Sequence, residues 1–161
     1  MFSENILHLA EKAIKQATDA GITISTAESC TGGLVIAALT EVSGSSTVVN
    51  RGFITYTNQA KMDMVAVKAE TLEKYGAVSA QTVNEMAIGA REKSGSDIAV
   101  SVSGIAGPMG GSAEKPVGLV HFALADKNGI TLQKTIFKGD RQSVRMQTVE
   151  AVLKMILKNI L

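Results

Sequence analysis

The sequence predicts a layered α/β fold whose mixed β-sheet includes a C-terminal β-hairpin. Helix-like and strand-like periodicities alternate through the first half of the chain. Two strand-like runs in the second half flank residues 126–129, whose Asn-Gly pair is typical of a hairpin turn. The 161 residues are 45% hydrophobic, which is enough to fill a core. No linker, repeat or low-complexity tract divides the chain, so we predict one domain over residues 1–161.

The first third of the chain predicts a helix, a strand and a second helix. Residues 4–20 place apolar side chains at helical spacing, and Gly21 ends that helix. Residues 22–26 alternate like a short strand, residues 27–33 predict a tight turn, and the apolar residues 34–39 predict the next helix. The apolar face of the first helix consists of Ile6, Leu7, Ala10, Ala13, Ile14 and Ala17.

Loop, strand and helix signals continue to alternate through the rest of the chain. Serine and glycine predict a loop over residues 43–46, Gly76 ends a short helix, and Ser79 is a typical N-cap residue. The glycine-rich residues 104–112 cannot form regular structure. The predicted elements are a strand over 52–56, a helix over 58–65 with Thr57 or Asn58 near its N-cap, helices over 69–76 and 80–93, strands over 97–103, 117–125 and 130–137, and a helix from Asp140 to the C-terminus.

The composition excludes several kinds of site. One Cys and two His cannot form an internal disulfide or a conventional zinc site, so we expect no metal and no cofactor. A formal net charge of +1 and an aromatic content of 4% argue against nucleic-acid binding. The chain has no apolar run of about 18 residues that predicts a membrane span. Its N-terminus lacks the features of a signal peptide, so we expect a cytoplasmic protein.

Seven of the 15 glycines lie in three loops. Two of these loops follow predicted strands, and ligands of open α/β sheets bind outside the carboxyl ends of strands. We interpret the three loops as the walls of one ligand site, and the alternative is that they only turn the chain. The seven are Gly32, Gly33, Gly44, Gly104, Gly107, Gly110 and Gly111.

The turn after the first strand contains Ser29, Cys30 and Thr31. Free backbone N–H groups at the start of the following helix suit an anion such as phosphate. The alternative is that Ser29 or Thr31 only caps the helix. A helix start also lowers the pKa of a thiol, so Cys30 could be a nucleophile. We favour the interpretation that Cys30 is buried and packs as a small hydrophobic side chain. The sequence contains neither a P-loop nor a dinucleotide-binding fingerprint.

A serine and a lysine offer a second source of chemistry. Ser45 and Ser46 precede the predicted strand over 52–56. Tyr56 lies at the end of that strand, and Lys61 lies in the predicted helix that follows. A lysine whose pKa falls to about 7–8 can act as the general base for a serine nucleophile. The alternative is an ordinary solvated lysine. The Tyr–Lys spacing is one residue longer than in short-chain dehydrogenases, so we exclude that class.

Arg141 and Arg145 lie four residues apart at the start of the last predicted helix. This spacing puts both guanidinium groups on one helix face. Such groups bind phosphate oxygens through paired hydrogen bonds, and the alternative is a salt-bridged surface.

Six segments together resemble the CinA C-terminal domain family, in order and spacing, over nearly the whole chain. They are residues 27–33 (AESCTGG), 51–58 (RGFITYTN), 76–79 (GAVS), 103–108 (SGIAGP), 114–118 (EKPVG) and 139–141 (GDR). The resemblance implies a three-layer α/β/α sandwich. It also implies hydrolysis of the carboxamide of nicotinamide mononucleotide to nicotinic acid mononucleotide and ammonia, a step of pyridine-nucleotide recycling.

The resemblance further implies which residues form the site. Ser46, rather than Ser45, would be the nucleophile, and Tyr56 and Lys61 would assist it. Arg141 and Arg145 would neutralise the 5′-phosphate. The remaining residues of the nucleotide site would be Ser29, Thr31, Gly32, Gly33, Ser45, Ser103 and Gly104.

Two other functions stay open at this point. One is a non-catalytic protein-binding domain connected with competence and DNA damage, and the other is an amidase for a different carboxamide. In the favoured interpretation the partner is a small nucleotide, with no nucleic acid and no membrane. We also expect a homodimer or a higher homo-oligomer, which exposed apolar helix positions would permit.

Overall fold

A computed structural model describes residues 1–160 of the chain and contains every helix and strand that the sequence predicts. The helices are α1 (Glu4–Ala20), α2 (Leu34–Thr40), α3 (Asn58–Val65), α4 (Ala69–Tyr75), α5 (Ala80–Ser94) and α6 (Arg141–Ile160). The strands are β1 (Ile24–Glu28), β2 (Val49–Ile54), β3 (Ile98–Gly104), β4 (Leu119–Asp126) and β5 (Gly129–Ile136), and a 3₁₀ helix covers Ser45–Thr47.

The five strands form one sheet in the order β2-β1-β3-β4-β5. Strand β1 runs parallel to both β2 and β3, whereas β4 and β5 are antiparallel to their neighbours. The predicted mixed sheet and its hairpin are therefore confirmed. We call the side of the sheet where β1, β2 and β3 end the carboxyl edge, and the opposite side the amino edge.

Helices cover both faces of the sheet, which confirms the three-layer sandwich. The larger core lies between the sheet and α1, α2 and α6. On the other face, α3, α4 and α5 enclose two smaller apolar clusters. The helices α3 and α5 meet at Gly89, where a Cβ atom would stand only 1.8 Å from the carbonyl oxygen of Val65. No helix within residues 1–160 is long and apolar enough to cross a bilayer.

The strand boundaries differ from the sequence prediction by one to three residues, and two of these differences have a clear physical reason. Strand β1 ends at Glu28, beyond the predicted residue 26, and all five of its residues are buried. A central parallel strand is covered on both faces, so its side chains do not alternate between apolar and polar. Strand β2 starts at Val49, earlier than the predicted residue 52. It is an edge strand with mostly exposed side chains, so its start has no hydrophobic signal.

Candidate active site

The strand order places a ligand crevice at the carboxyl edge. From β1 the chain crosses to β2 on one side and later returns to β3 on the other, so the connections diverge at the ends of β1 and β3. Ser29 follows β1 directly, and its backbone N–H donates to the carbonyl of Val102 on β3 at 3.1 Å. Ser29 therefore stands at the point where an open α/β sheet of this topology binds its ligands.

The carboxylate of Glu28 holds the turn that follows Ser29. It is 1% exposed and accepts hydrogen bonds from the hydroxyl of Thr31 at 2.7 Å and from the backbone N–H groups of Gly33, Val35 and Ile36 at 2.9–3.0 Å. A carboxylate is well stabilised by the N–H groups at a helix start. Glu28 therefore acts as the cap of α2, a role that the sequence analysis did not identify.

The position of Glu28 corrects one expectation from the sequence. The N–H groups at the start of α2 already donate to this carboxylate, so they are not free to bind a phosphate. The hydroxyl of Thr31 is likewise bonded to Glu28, and neither Ser29 nor Thr31 caps the helix. Gly32 and Gly33 have φ values of +59° and +102°, so they serve the left-handed backbone of this turn.

The amino group of Lys61 contacts the hydroxyl of Ser29. The Nζ atom lies 3.0 Å from Ser29 Oγ, 2.9 Å from the carbonyl oxygen of Thr55 and 3.4 Å from that of Tyr56. Lys61 comes from α3, which begins at the Thr57 N-cap just after β2. The parallel pairing of β1 and β2 brings this helix to the end of β1.

The side chain of Lys61 is 1% exposed, and no carboxylate in residues 1–160 forms a salt bridge with it. Burial lowers the pKa of its amino group from the ordinary value of 10.5. Two carbonyl oxygens accept from the amino group, so a neutral amine can keep both N–H bonds on them and direct its lone pair at Ser29. This geometry suits a general base.

The structure separates Ser46, the predicted nucleophile, from Lys61. Ser46 lies in the 3₁₀ helix before β2, at the amino edge, whereas Lys61 follows β2 at the carboxyl edge. A six-residue strand rises about 3.3 Å per residue, so its ends lie roughly 17 Å apart. Ser45 and Gly44 share the location of Ser46, and Gly44 borders a groove with Ile14 of α1. These loop residues do not line the crevice.

Tyr56 and Arg141 lie at the mouth of the crevice. The ring of Tyr56 is 59% exposed, and its hydroxyl accepts a hydrogen bond from Nη2 of Arg141 at 3.2 Å. Nη1 of Arg141 donates to the carbonyl of Gly107 at 2.9 Å. The structure thus brings Tyr56, Lys61 and Ser29 together, but Tyr56 contacts Lys61 through its backbone carbonyl rather than its hydroxyl.

The other predicted residues have structural contacts. Nε of Arg145 donates to the carbonyl of Cys30 at 3.1 Å, and Nη2 donates to that of Thr31 at 2.9 Å. The hydroxyl of Ser103 is buried and donates to the carbonyl of Ala77. Gly104 ends β3, where a Cβ atom would stand 2.6 Å from a methyl group of Val120.

Cys30 is a buried thiol, in line with the interpretation that we favoured. Burial is the largest cause that raises its pKa, to about 12, so the thiolate does not form at neutral pH. Within residues 1–160, no group of three His, Cys, Asp or Glu side chains could hold a metal ion. The crevice brings together the hydroxyl of Ser29 and the amine of Lys61.

A serine hydroxyl in contact with a buried lysine is an arrangement that suits nucleophilic attack on a carbonyl group. The family comparison agrees with the fold. The CinA C-terminal domain family model matches residues 6–160, so the chain belongs to that family.

Known relatives resemble the chain over most of its length. It is 50% identical to nicotinamide-nucleotide amidohydrolase PncC of Enterobacter agglomerans, covering 98% of this chain and 99% of that protein. It is 52% identical to a CinA-like protein of Geotalea daltonii over 88% of this chain but only 34% of that longer protein. The crystal structure of competence/damage inducible protein CihA from Agrobacterium tumefaciens superposes with a TM-score of 0.96 at 51% identity, covering 98% of this chain and 97% of that one.

Two residues of the site, Ser29 and Glu28, have contacts that the sequence did not predict. Ser29 was expected to bind substrate, and Glu28 was given no role. Ser29 and Lys61 are 32 residues apart, and no local pattern links them. The one available signal was the position of Glu28 and Ser29 at the end of the central strand, next to a glycine pair.

Proposed function

We propose that this chain hydrolyses the carboxamide of nicotinamide mononucleotide and releases ammonia and nicotinic acid mononucleotide. The observation that carries the proposal is the 3.0 Å contact between Ser29 Oγ and Lys61 Nζ at the carboxyl edge. The choice of substrate is supported by the name of the Enterobacter agglomerans relative, nicotinamide-nucleotide amidohydrolase, which the chain matches over 99% of its length.

Ser29 takes the role of nucleophile in this proposal, in place of Ser46. Neutral Lys61 accepts the hydroxyl proton as Ser29 Oγ bonds to the carboxamide carbon. The tetrahedral intermediate collapses when the protonated Lys61 donates that proton to the leaving nitrogen, so ammonia departs and an ester on Ser29 remains. A water molecule then attacks the ester, and Lys61 takes a proton from it. Lys61 returns this proton to Ser29 Oγ as the ester bond breaks, and the product leaves as a carboxylate after its remaining proton passes to solvent.

The negative charge of the intermediate needs hydrogen-bond donors. Residues 106–111 lie after β3, whose Val102 accepts a hydrogen bond from the backbone of Ser29, and we assign the donors to backbone N–H groups of this glycine-rich segment. The loss of one such donor typically costs about 10²–10³ in rate. Ser103 and Gly104 then form the wall of the crevice that faces the carboxamide.

Arg141 is the residue that we assign to the 5′-phosphate. Its guanidinium is exposed at the mouth of the crevice and keeps Nε and one hydrogen on each terminal nitrogen beyond its bonds to Tyr56 and Gly107. A guanidinium binds phosphate oxygens with charge-assisted hydrogen bonds. The N–H groups at the start of α2 have no part in this role, because they donate to Glu28.

The direct test is ammonia release from nicotinamide mononucleotide by the purified protein in the presence of EDTA. We expect turnover with EDTA, and lower kcat/KM for nicotinamide riboside, which lacks the phosphate. Added hydroxylamine should capture the ester as the hydroxamate, and mass spectrometry should place the transient adduct on Ser29. Folded protein without ammonia release would overturn the proposal, whereas equal rates on both substrates would favour an amidase for another carboxamide.

A homo-oligomer, a cytoplasmic location and a single domain over the whole chain stay predictions from the sequence. Light scattering coupled to gel filtration measures the first of these. An elution mass of one chain at micromolar concentration would contradict the expected dimer.

A further inference from the structure

Arg145 reaches the turn of Ser29 from a helix that is far away in the sequence. It lies on α6, whose neighbouring residues Val144, Thr148 and Val149 are fully buried and fix the helix against the core. From this position its guanidinium donates to the carbonyl oxygens of two consecutive residues, Cys30 and Thr31, at 3.1 and 2.9 Å.

The turn is held on two sides by opposite charges. The carboxylate of Glu28 accepts from its hydroxyl and N–H groups, and the guanidinium of Arg145 donates to its carbonyl groups. Charge-assisted hydrogen bonds of this kind are stronger than neutral ones and fix geometry. Along the chain, Ser29 lies between Glu28 and the two residues whose carbonyls bond to Arg145, and its hydroxyl contacts Lys61. Its distance from the amine therefore depends on both anchors.

The contacts of Arg145 occupy most of the hydrogen-bond donors that a phosphate would need. Nε and Nη2, which form one bonding edge of the guanidinium, already donate to the turn. The group also packs directly on the backbone, since a Cβ atom on Gly32 would lie 3.5 Å from Nη2. Arg141, by contrast, keeps Nε unbonded and stands in the open at the mouth of the crevice.

We infer that Arg145 is a positioning residue, which fixes the turn so that Ser29 Oγ stays within hydrogen-bond distance of Lys61 Nζ, and is not a ligand of the nucleotide phosphate. The inference rests on the proposed function for its reaction. Arg141 and Arg145 lie on the same helix face but have different roles in this inference. Arg145 supports turnover, and Arg141 recognises the phosphate.

The test compares Arg145→Lys, Arg145→Gln and Arg141→Lys with the wild type, on nicotinamide mononucleotide and on nicotinamide riboside. A misplacement of about 1 Å can cost about 10²-fold in rate. We expect Arg145→Gln to lower kcat by about 10²-fold and Arg145→Lys by about 10-fold. The KM for nicotinamide mononucleotide and the preference for the phosphorylated substrate should stay within about twofold. Arg141→Lys should instead raise KM and reduce that preference.

Two further measurements keep the inference independent of the substrate. The rate at which a small fluorophosphonate labels Ser29 should fall in Arg145→Gln, and added guanidinium ion should partly restore kcat in Arg145→Ala. If the wild type does not deamidate nicotinamide mononucleotide, the proposed function fails and the labelling rate still decides the role of Arg145.

Three results would overturn the inference. One is a raised KM with loss of phosphate preference in Arg145→Gln, which would make Arg145 a phosphate ligand. Another is an unchanged kcat and labelling rate. The third is loss of folding in all Arg145 variants, since the two hydrogen bonds would then support the fold rather than the turn. Melting curves of each variant supply that control.

Discussion

Serine-containing loops stand at both edges of the sheet, and they differ in their surroundings rather than in their composition. At the carboxyl edge, Ser29 is buried between β1 and α2 and contacts the amine of Lys61 at 3.0 Å. At the amino edge, Ser46 is exposed in a 3₁₀ helix, and strand β2 separates it from Lys61. A hydroxyl becomes a nucleophile through the base beside it, so the contact with Lys61 distinguishes the two loops.

The largest expected effect comes from exchanging the two serines for alanine. Ser29→Ala should lower kcat by about 10³-fold or more, since the attacking oxygen is lost. Ser46→Ala is the matched control at the amino edge and should change kcat by less than about twofold. Ammonia release under saturating nicotinamide mononucleotide measures both. The reverse pattern would restore Ser46 as the nucleophile and reject the assignment from geometry.

Replacement of the base should have the next largest effect. Lys61→Met keeps the length of the side chain without the amine, and we expect kcat to fall by about 10²–10⁴-fold, the usual contribution of a general base. In the proposed mechanism the active form is neutral Lys61, so kcat should rise with pH through its lowered pKa. This acid limb should lie below pH 10.5. A limb centred at or above 10.5 would contradict a buried base.

The same pKa shift predicts a dependence of stability on pH. Between the lowered pKa of folded Lys61 and the unfolded value of 10.5, the unfolded chain binds the extra proton. The wild type should therefore gain stability relative to Lys61→Met as pH rises through that window. Urea denaturation at several pH values measures the difference. A constant difference across the window would mean that the pKa of Lys61 is not shifted.

A moderate effect is expected at the cap of α2. Glu28→Gln places an amide group beside N–H donors and removes the charge-assisted hydrogen bonds of the carboxylate. We therefore expect the free energy of unfolding to fall by about 2–3 kcal/mol. Activity should fall as well, because the turn of Ser29 loosens. The control at the amino edge is Thr47→Ala, with an expected change of at most about 0.5 kcal/mol, because the Thr47 hydroxyl is exposed and donates to the carbonyl of Gly44. Equal losses in both variants would remove the contrast between the edges.

The smallest effect belongs to Asp97 at the amino edge. The backbone N–H and then the hydroxyl of Thr23 lower the pKa of its carboxyl below 3.8. The stability that ionised Asp97 contributes to the fold is present above its unfolded pKa and is lost as pH falls through its folded pKa. Asp97→Asn should lower Tm by about 1 °C at pH 7, because the group is exposed. The loss should vanish in acid, and kcat should not change. A pH-independent loss would contradict this origin.

Much of the fold follows from local patterns in the chain. The spacing of six apolar residues predicted the inner face of α1, and five of the six, all but Leu7, are buried. The Asn-Gly pair indicated the hairpin of β4 and β5. Such features depend on neighbours within a few residues. The start of β2 did not follow from them, because an exposed edge strand has no apolar period.

By itself the sequence determined the layered α/β class and the order of the elements. The scarcity of His and Cys also favoured a site that uses hydroxyl and amine groups. The sequence also placed Lys61 directly after β2. Only the tertiary structure decided which serine that lysine meets. The parallel pairing of β1 with β2 brings α3 to the end of β1, so Lys61 contacts Ser29, and the length of β2 keeps Ser46 at the opposite edge. Strand order and register are contacts between distant segments, and no periodicity within one segment encodes them.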